Sequence, residues 1–298
     1  MITEKQIEKR KGHIGSSDMA AILGLDPFRT AYDVWIEKTG RLETPVSNSA
    51  MVRGRYLEDA ILRWFETDFG KKIIKNQYRA LKQADVPVGV NLDAIVKDEG
   101  RPVEAKSVGP YNQEKWGTPG TDEVPDRVII QCAVQLLCVD SDLCYVPVYL
   151  PYRDFNLFYV YRNKELEEII LEHAHEFWEK YVLTDTPPEG VLPTLPYIRN
   201  IRRTAKTISI PSSLFEAYDE VNNFLKEAEA KKEQIQAAIL AAMGDAEEGV
   251  DEITGKRFVL SERSRTTIDV NALRKEQPDI AKKYEKKTTY KVFLKKGE

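Results

Sequence analysis

The chain has 298 residues, 42% of them hydrophobic and 9% aromatic, which suffices for one large or two moderate cores and disfavours a disordered or disulfide-stapled mini-fold. Its 44 lysines and arginines against 48 acids give a net charge of -4, so no global charge marks a polyanion partner and any nucleic-acid surface must be local. No apolar run approaches ~18 residues and the opening MITEKQIEKRKG lacks a hydrophobic signal region, so no membrane partner is expected and a cytoplasmic location follows.

Within residues 6–24, Gly15-Ser16-Ser17-Asp18 precedes the apolar Met19, Ile22 and Leu23, the pattern of a capped helix start. An ordinary N-cap is the commoner explanation; backbone N–H groups and hydroxyls there can also hold a phosphate, with Arg10 and His13 nearby in sequence. Residues 30–38, TAYDVWIEK, form a second short helix with Gly40 just past its end. Residues 51–69 set Leu57, Ile61, Leu62, Trp64 and Phe65 on one stripe of a long core helix. Glu58 lies at the edge of that stripe, as a solvated residue or as one leaning toward the segment that follows. Lys71, Lys72 and Lys75 form a local basic cluster, and residues 73–81 read as an edge strand.

The next stretch, VGVNLDAIVKDEGRPVEAKSV, reads as a β-hairpin. Alternating apolar residues from Val88 to Val96 give way to the turn chemistry of Asp98-Glu99-Gly100, and Val103, Ala105 and Val108 resume the apolar run. Side chains alternate faces along a strand, so Glu104 and Lys106 share a face, and Asp93 on the opposing strand can be brought across from them. Two carboxylates held close repel, and an oxygen-rich site of this type suits Mg²⁺ or Mn²⁺. A lysine beside them fits phosphodiester hydrolysis, in which a metal polarises the phosphoryl group and the ammonium orients the nucleophile or offsets charge. The plain alternative is a solvated hairpin whose surface ion pair contributes ~0 to 1 kcal/mol.

A Gly- and Pro-rich loop at 109–124 follows, then Pro125 and a helix over 126–138. Its Gln131 and Gln135 are four apart and share a face, either as exposed amides or as holders of a water or phosphate oxygen. Residues 143–150 and 155–161 continue the sheet as strands, and residues 166–181 form a packing helix. His173 and His175 on that helix point to different faces and make poor joint ligands. Cys132, Cys138 and Cys144 form no CxxC pair and read as core residues.

Composition divides the chain into 1–183, a Pro-rich linker at 184–198, and 199–298. Past the linker, Ser213 to Glu216 make a capping box for a long helix ending near Gly244. Leu214, Tyr218, Val221, Leu225, Ala228, Ile235 and Ile239 follow 4-3 spacing broken by Lys232, as in a coiled-coil arm that packs on another helix or on its own domain. Short strands are expected at 256–261 and 290–294. A lysine-rich end beginning at Lys282 is a second local basic cluster.

Taken in order, these motifs resemble the YqaJ-type viral recombinases, the group that includes phage lambda exonuclease within the PD-(D/E)XK nucleases. The carriers are Arg10-x-Gly12-x-Ile14-Gly15-x-Ser17 with GLDPFRTAYDVWIEKTG, Arg53-Gly54-x-x-Leu57-Glu58, Asp93 with Glu104-Ala105-Lys106, and the glutamine helix, together spanning about the first 160 residues. Leu92 stands where the family pattern has proline. The resemblance implies an α/β fold with a mixed central sheet flanked by helices, the PD-(D/E)XK nuclease core, carrying a helical and basic C-terminal extension. It implies a metal-dependent 5′-to-3′ exonuclease on linear double-stranded DNA, with the catalytically silent DNA-binding module and the endonuclease on the same core as rival readings. Asp93, Glu104 and the carbonyl of Ala105 would ligate Mg²⁺, for which Mn²⁺ substitutes, and Lys106 would position the attacking water. Glu58 and either Gln131 or Gln135 would assist, and Arg10, Ser16 and Ser17 would hold DNA phosphate. Double-stranded DNA ends, a single-strand annealing protein and a homo-oligomeric ring trimer would be the partners, in a bacterial host cell.

Overall fold

The computed structural model describes residues 12–81, 86–288 and 291–295, so Arg10 lies outside the described residues. Helix α1 (Ser16–Ile22) follows a bridge in which Ile14 N–H donates to the Pro87 carbonyl at 2.8 Å and Gly89 N–H to the Ile14 carbonyl at 3.0 Å. Helix α2 (Ala31–Lys38) is capped reciprocally: Thr30 Oγ1 accepts the Asp33 N–H, and the Asp33 carboxylate accepts the Thr30 N–H. Gly40, at φ 69°, takes the left-handed turn past its end. Helix α3 (Ser49–Phe69) buries Ile61, Leu62 and Phe65 and stops at Gly70, also left-handed.

Strands β1 (Ile73–Ala80), β2 (Gly89–Val96), β3 (Pro102–Val103) and β4 (Lys106–Ser107) come next. Helix α4 (Asp126–Val139) then leads into β5 (Leu143–Leu150), β6 (Asp154–Tyr161) and helix α5 (Lys164–Phe177). β1 pairs antiparallel with β2, β2 with β3, and β5 with β6, whereas β3 and β4 both run parallel to β5. The sheet is therefore mixed, with β1 at one edge and helices packed against it. α4 is the crossover that a parallel pair requires.

β3 and β4 are two pieces of one strand. Val103 lies opposite Tyr145 and Lys106 opposite Val148, the same offset, so the register carries through the interruption at Glu104 and Ala105. At that offset Pro147 stands opposite Ala105. Proline has no N–H to give the ladder, which is why the strand lapses there. The β1–β2 ladder has a matching lapse, with Asn76 and Asp93 facing each other unpaired and Asn76 at φ 55°.

The first unit runs to Arg203 and the second starts at Thr204, so residues 184–198 are part of the first unit and not a linker. Named bonds hold this segment to α2 and its neighbours. Arg41 grips Asp185 bidentately at 2.7 and 2.9 Å, Thr30 Oγ1 donates to the Leu192 carbonyl at 3.1 Å, and Thr194 N–H donates to the buried Asp33 carboxylate at 2.9 Å. Helix α6 (Leu195–Arg199) follows, and Leu42 bridges to Ile201. Prolines stiffen this segment without freeing it.

In the second unit, α7 (Ser212–Met243) begins directly after Pro211 with no side-chain cap, so the expected Ser213 to Glu216 box does not form. A hairpin of β7 (Glu248–Val250) and β8 (Arg257–Val259) follows, then α8 (Val270–Glu276) and α9 (Pro278–Lys283). Residues 291–294 carry no strand. Among the described residues no helix is long and apolar enough to cross a membrane.

Asp33 both caps α2 and anchors residue 194, so Asp33→Ala is expected to lower stability by about 1–3 kcal/mol through two backbone donors left without a partner. Limited digestion with proteinase K should then cut within 184–198, where the parent protein is cut first in the exposed residues after Arg203.

Candidate active site

Glu104 is the centre of the site. It is 3% exposed, and its carboxylate lies under α4 where the strand ladder lapses. Each oxygen has its own donors. Lys106 Nζ and Gln131 Nε2 both reach Oε1 at 2.5 Å, and Gln135 Nε2 reaches Oε2 at 2.5 Å. Lys106 Nζ also donates to Gln131 Oε1 at 2.7 Å, closing a triangle of carboxylate, ammonium and amide.

The shared face expected of Glu104 and Lys106 is present, and both glutamines sit on it. Gln131 and Gln135 do not compete for one place, because each holds a different oxygen of Glu104. Gln135, fully buried, turns its Oε1 toward the Cys144 thiol at 3.8 Å, a weak donor that helps fix the amide's orientation. Cys132 and Cys144 are core residues, and burial pushes the Cys144 thiol pKa up. The picture of a solvated hairpin surface does not hold: Glu104 is buried, and Lys106 is only 19% exposed along its side chain.

Asp93 reaches the same place from β2. Its Oδ2 accepts the Ala105 N–H at 2.9 Å, a donor that the strand interruption leaves available. Burial, then the charges of Glu104 and Glu58, raise the Asp93 pKa well above its ordinary value. Glu58, from α3, is half-buried, and its pKa is likewise raised by burial and then by Glu104. α3 comes close here because Gly54, one turn before Glu58, passes Ser107 with room for little more than a methyl group. Burial favours the neutral amine of Lys106, yet Glu104 and Asp93 outweigh it and raise its pKa.

Three carboxylates thus crowd around one ammonium, and two of them hold protons more tightly than usual. A site short of positive charge in this way fits a hard cation. No cluster of three or more His, Cys, Asp or Glu side chains among the described residues could hold an ion alone. Mg²⁺ keeps several waters and takes only one or two carboxylates together with substrate oxygens. Asp93 and Glu104 are the two carboxylates here that could be offered to such an ion.

Of the expected phosphate-binding residues, two are among those described. Ser16 is buried and Ser17 exposed at the first turn of α1, whose preceding Gly15 N–H already donates to Asp18 Oδ2 at 2.8 Å. Asp18 opposes burial with Lys38 and Arg29, both at 2.5 Å, and these cations hold its carboxyl well below the usual range. In the Lys71 to Lys75 cluster, Lys71 pairs with Glu99, and Lys75 pairs with Asp59 at 2.7 Å, so two of its three charges are already matched. Pro147 went unremarked in the sequence. A proline inside an otherwise apolar strand was the signal that would have located the break at Ala105.

Residues 7–142 match the family described as the YqaJ-like viral recombinase domain. The chain is 27% identical over 301 positions to the uncharacterized protein YqaJ of Bacillus subtilis (strain 168), across 96% of this chain and 92% of that one. The crystal structure of an alkaline exonuclease, LHK-Exo from Laribacter hongkongensis, matches with a TM-score of 0.51 at 18% identity, covering 61% of this chain and 94% of that one. The structure of LHK-Exo in complex with dAMP matches with the same figures. At that identity the likeness is one of fold.

The crowding of carboxylates generates a prediction about stability. With its pKa raised by folding, Asp93 favours the folded state fully below its unfolded pKa, and this contribution is lost as pH rises toward the folded value. In chelator near neutral pH, Asp93→Asn should therefore raise the melting temperature, by roughly 2–4 °C for each kcal/mol relieved in a domain of this size. Gln135→Leu should do the reverse, lowering stability by about 1–3 kcal/mol, because it leaves a buried carboxylate oxygen without its donor. Calorimetry of the two variants beside the parent measures both.

Proposed function

We propose, from the match of residues 7–142 to the family described as the YqaJ-like viral recombinase domain, that the chain is a metal-dependent deoxyribonuclease digesting linear duplex DNA from the 5′ end. The observation that carries this reading is the triangle of Glu104, Lys106 and Gln131 with Asp93 beside it. A bound Mg²⁺ or Mn²⁺ would polarise the phosphoryl group and lower the pKa of its water. Asp93 and Glu104 would hold it, with the carbonyl of Ala105.

The protein's own groups carry the rest. Gln131 and Gln135 fix the Glu104 carboxylate so that it needs little reorganisation when a phosphodiester arrives. Lys106 is an ammonium, held charged by Glu104 and Asp93, so it acts as a donor that orients the attacking water or a phosphate oxygen and not as a base. Glu58, with its raised pKa and its position between α3 and the hairpin, is suited to accept a proton from that water.

Digestion from the 5′ end rests on the opening block. Ser17 is the exposed member of the serine pair and would contact the terminal phosphate together with Arg10. A terminal phosphate carries more charge than an internal diester, which would set the direction without base contacts. The resulting 3′ overhang would be the substrate of an annealing protein.

An end-labelled linear duplex incubated with Mg²⁺ should release nucleotides, and chelator should stop the release. Lys106→Ala should slow cleavage by about 10²- to 10³-fold, the usual effect of removing one positioned donor. A 5′-phosphorylated duplex should be digested faster than a 5′-hydroxyl duplex. Near-parental cleavage by Lys106→Ala would show the site to be misassigned, and equal rates at both ends would remove the role of Ser17 and Arg10 alone.

A further inference from the structure

Where β4 and β5 end, the first unit presents four side chains that neither the carboxylate cluster nor the opening block uses. α3 lies across β4 with Glu58 near Asp93 and Glu104, and Arg53 of the same helix reaches the backbone just past the strand. A Cβ on Gly109 would stand 3.6 Å from the Arg53 Nη2, and a Cβ on Gly54 would stand 3.7 Å from the Ser107 Oγ. Arg53 is exposed, and among the described residues neither its guanidinium nor the Ser107 hydroxyl has a hydrogen-bond or ion-pair partner. A planar fork of donors without a carboxylate of its own, beside an open hydroxyl, suits a phosphodiester. From Arg53 to Glu58 the helix rises ~7–8 Å, close to the step between neighbouring phosphates of one strand. A phosphate held at Arg53 is therefore next to one held at the carboxylates.

Beyond Gly109 the chain makes a short 3₁₀ helix over Pro110–Lys115, fixed to the turn between β5 and β6. Gln113 Oε1 accepts the Tyr152 N–H at 3.3 Å, and Arg153 Nη1 donates to the carbonyls of Trp116 and Gly117 at 3.0 and 3.1 Å. Trp116 is buried and packs edge-on against Phe158. On this anchored platform two tyrosines face water, Tyr111 at 91% and Tyr152 at 76% exposure. Lys115 and Arg153 outnumber Glu114 in the same two segments. Aromatic rings held out beside an unpaired cation are what bases stack on while their phosphates are gripped. Inside a duplex the base faces already cover one another, so the ligand that fits is single-stranded DNA. We propose that Arg53 and Ser107 bind the phosphodiester next to the scissile one, and that Tyr111 and Tyr152 stack on the unpaired bases of that strand. The identity of the strand rests on the nuclease reading above; the site itself rests on these side chains.

Fluorescence anisotropy of the full chain with a labelled oligothymidine, in chelator so that neither metal nor cleavage intervenes, tests the site. The parent should bind it. Arg53→Gln should weaken binding roughly tenfold, through one charge-assisted contact, and lower the salt slope by about 0.7. Tyr111→Ala with Tyr152→Ala should weaken binding by about tenfold or more at an unchanged salt slope. An abasic oligomer of equal length separates the two parts: the Arg53→Gln effect should persist on it and the tyrosine effect should vanish. All three positions are exposed, so the variants should keep the parental circular dichroism. A parent that does not bind oligothymidine, or an Arg53→Gln variant with parental affinity and salt slope, would overturn the proposal. So would tyrosine variants that lose nothing, or that lose as much on the abasic oligomer. Cleavage in Mg²⁺ is scored apart from this: a parent that binds as expected but releases no nucleotide overturns the nuclease reading alone.

Discussion

A carboxylate buried at Glu104 is the constraint on which the rest of the first unit depends. Moving an unpaired carboxylate out of water costs several kcal/mol even after relaxation, so the fold has to meet it with donors. It does so from two directions, with Lys106 from the same strand and Gln131 and Gln135 from α4. The crossover helix is thereby tied to the hairpin by polar contacts as well as by the apolar cluster that Ile130, Ala133 and Val134 share with Val90, Leu92 and Ile95. The outcome is a preorganised oxygen cluster on rigid elements, with excess negative charge on the side where Asp93 and Glu58 approach.

A second constraint makes that cluster possible. In a regular strand, the backbone of Glu104 and Ala105 would be fully engaged with β2 and β5. Pro147, opposite Ala105, has no N–H to give, and the lapse at Asn76 and Asp93 loosens the other side. The Ala105 N–H turns to the Asp93 carboxylate instead. Local irregularity in the sheet is thus where the carboxylates gather, while the surrounding registers stay intact.

Much of this was legible in the sequence because it follows from period and turn chemistry. The alternation from Val88 to Val96, the glycine turn and the Glu104-x-Lys106 spacing specify a hairpin with two charges on one face, and the structure has that hairpin. The helix end at Gly40 follows from its capping residue alone. What escaped depends on contacts across the chain. Nothing local says that residues 184–198 are bound by Asp33 and Arg41, so proline content read as a linker. Burial of Glu104 could not be seen without α4, since Glu-x-Lys looks the same on a solvated hairpin. The two glutamines looked like rivals because sequence gives their shared helix face but not the two oxygens they divide.

The central claim is that Asp93 and Glu104 hold a divalent cation, and Mn²⁺ titration followed by electron paramagnetic resonance tests it without relying on DNA or turnover. The parent protein should remove free Mn²⁺ from solution in proportion to its concentration, Mg²⁺ should compete for the same site, and Asp93→Ala should lose that binding while keeping its fold by circular dichroism. Binding that survives Asp93→Ala unchanged, or a folded parent that binds no Mn²⁺ at millimolar concentration, would contradict the account.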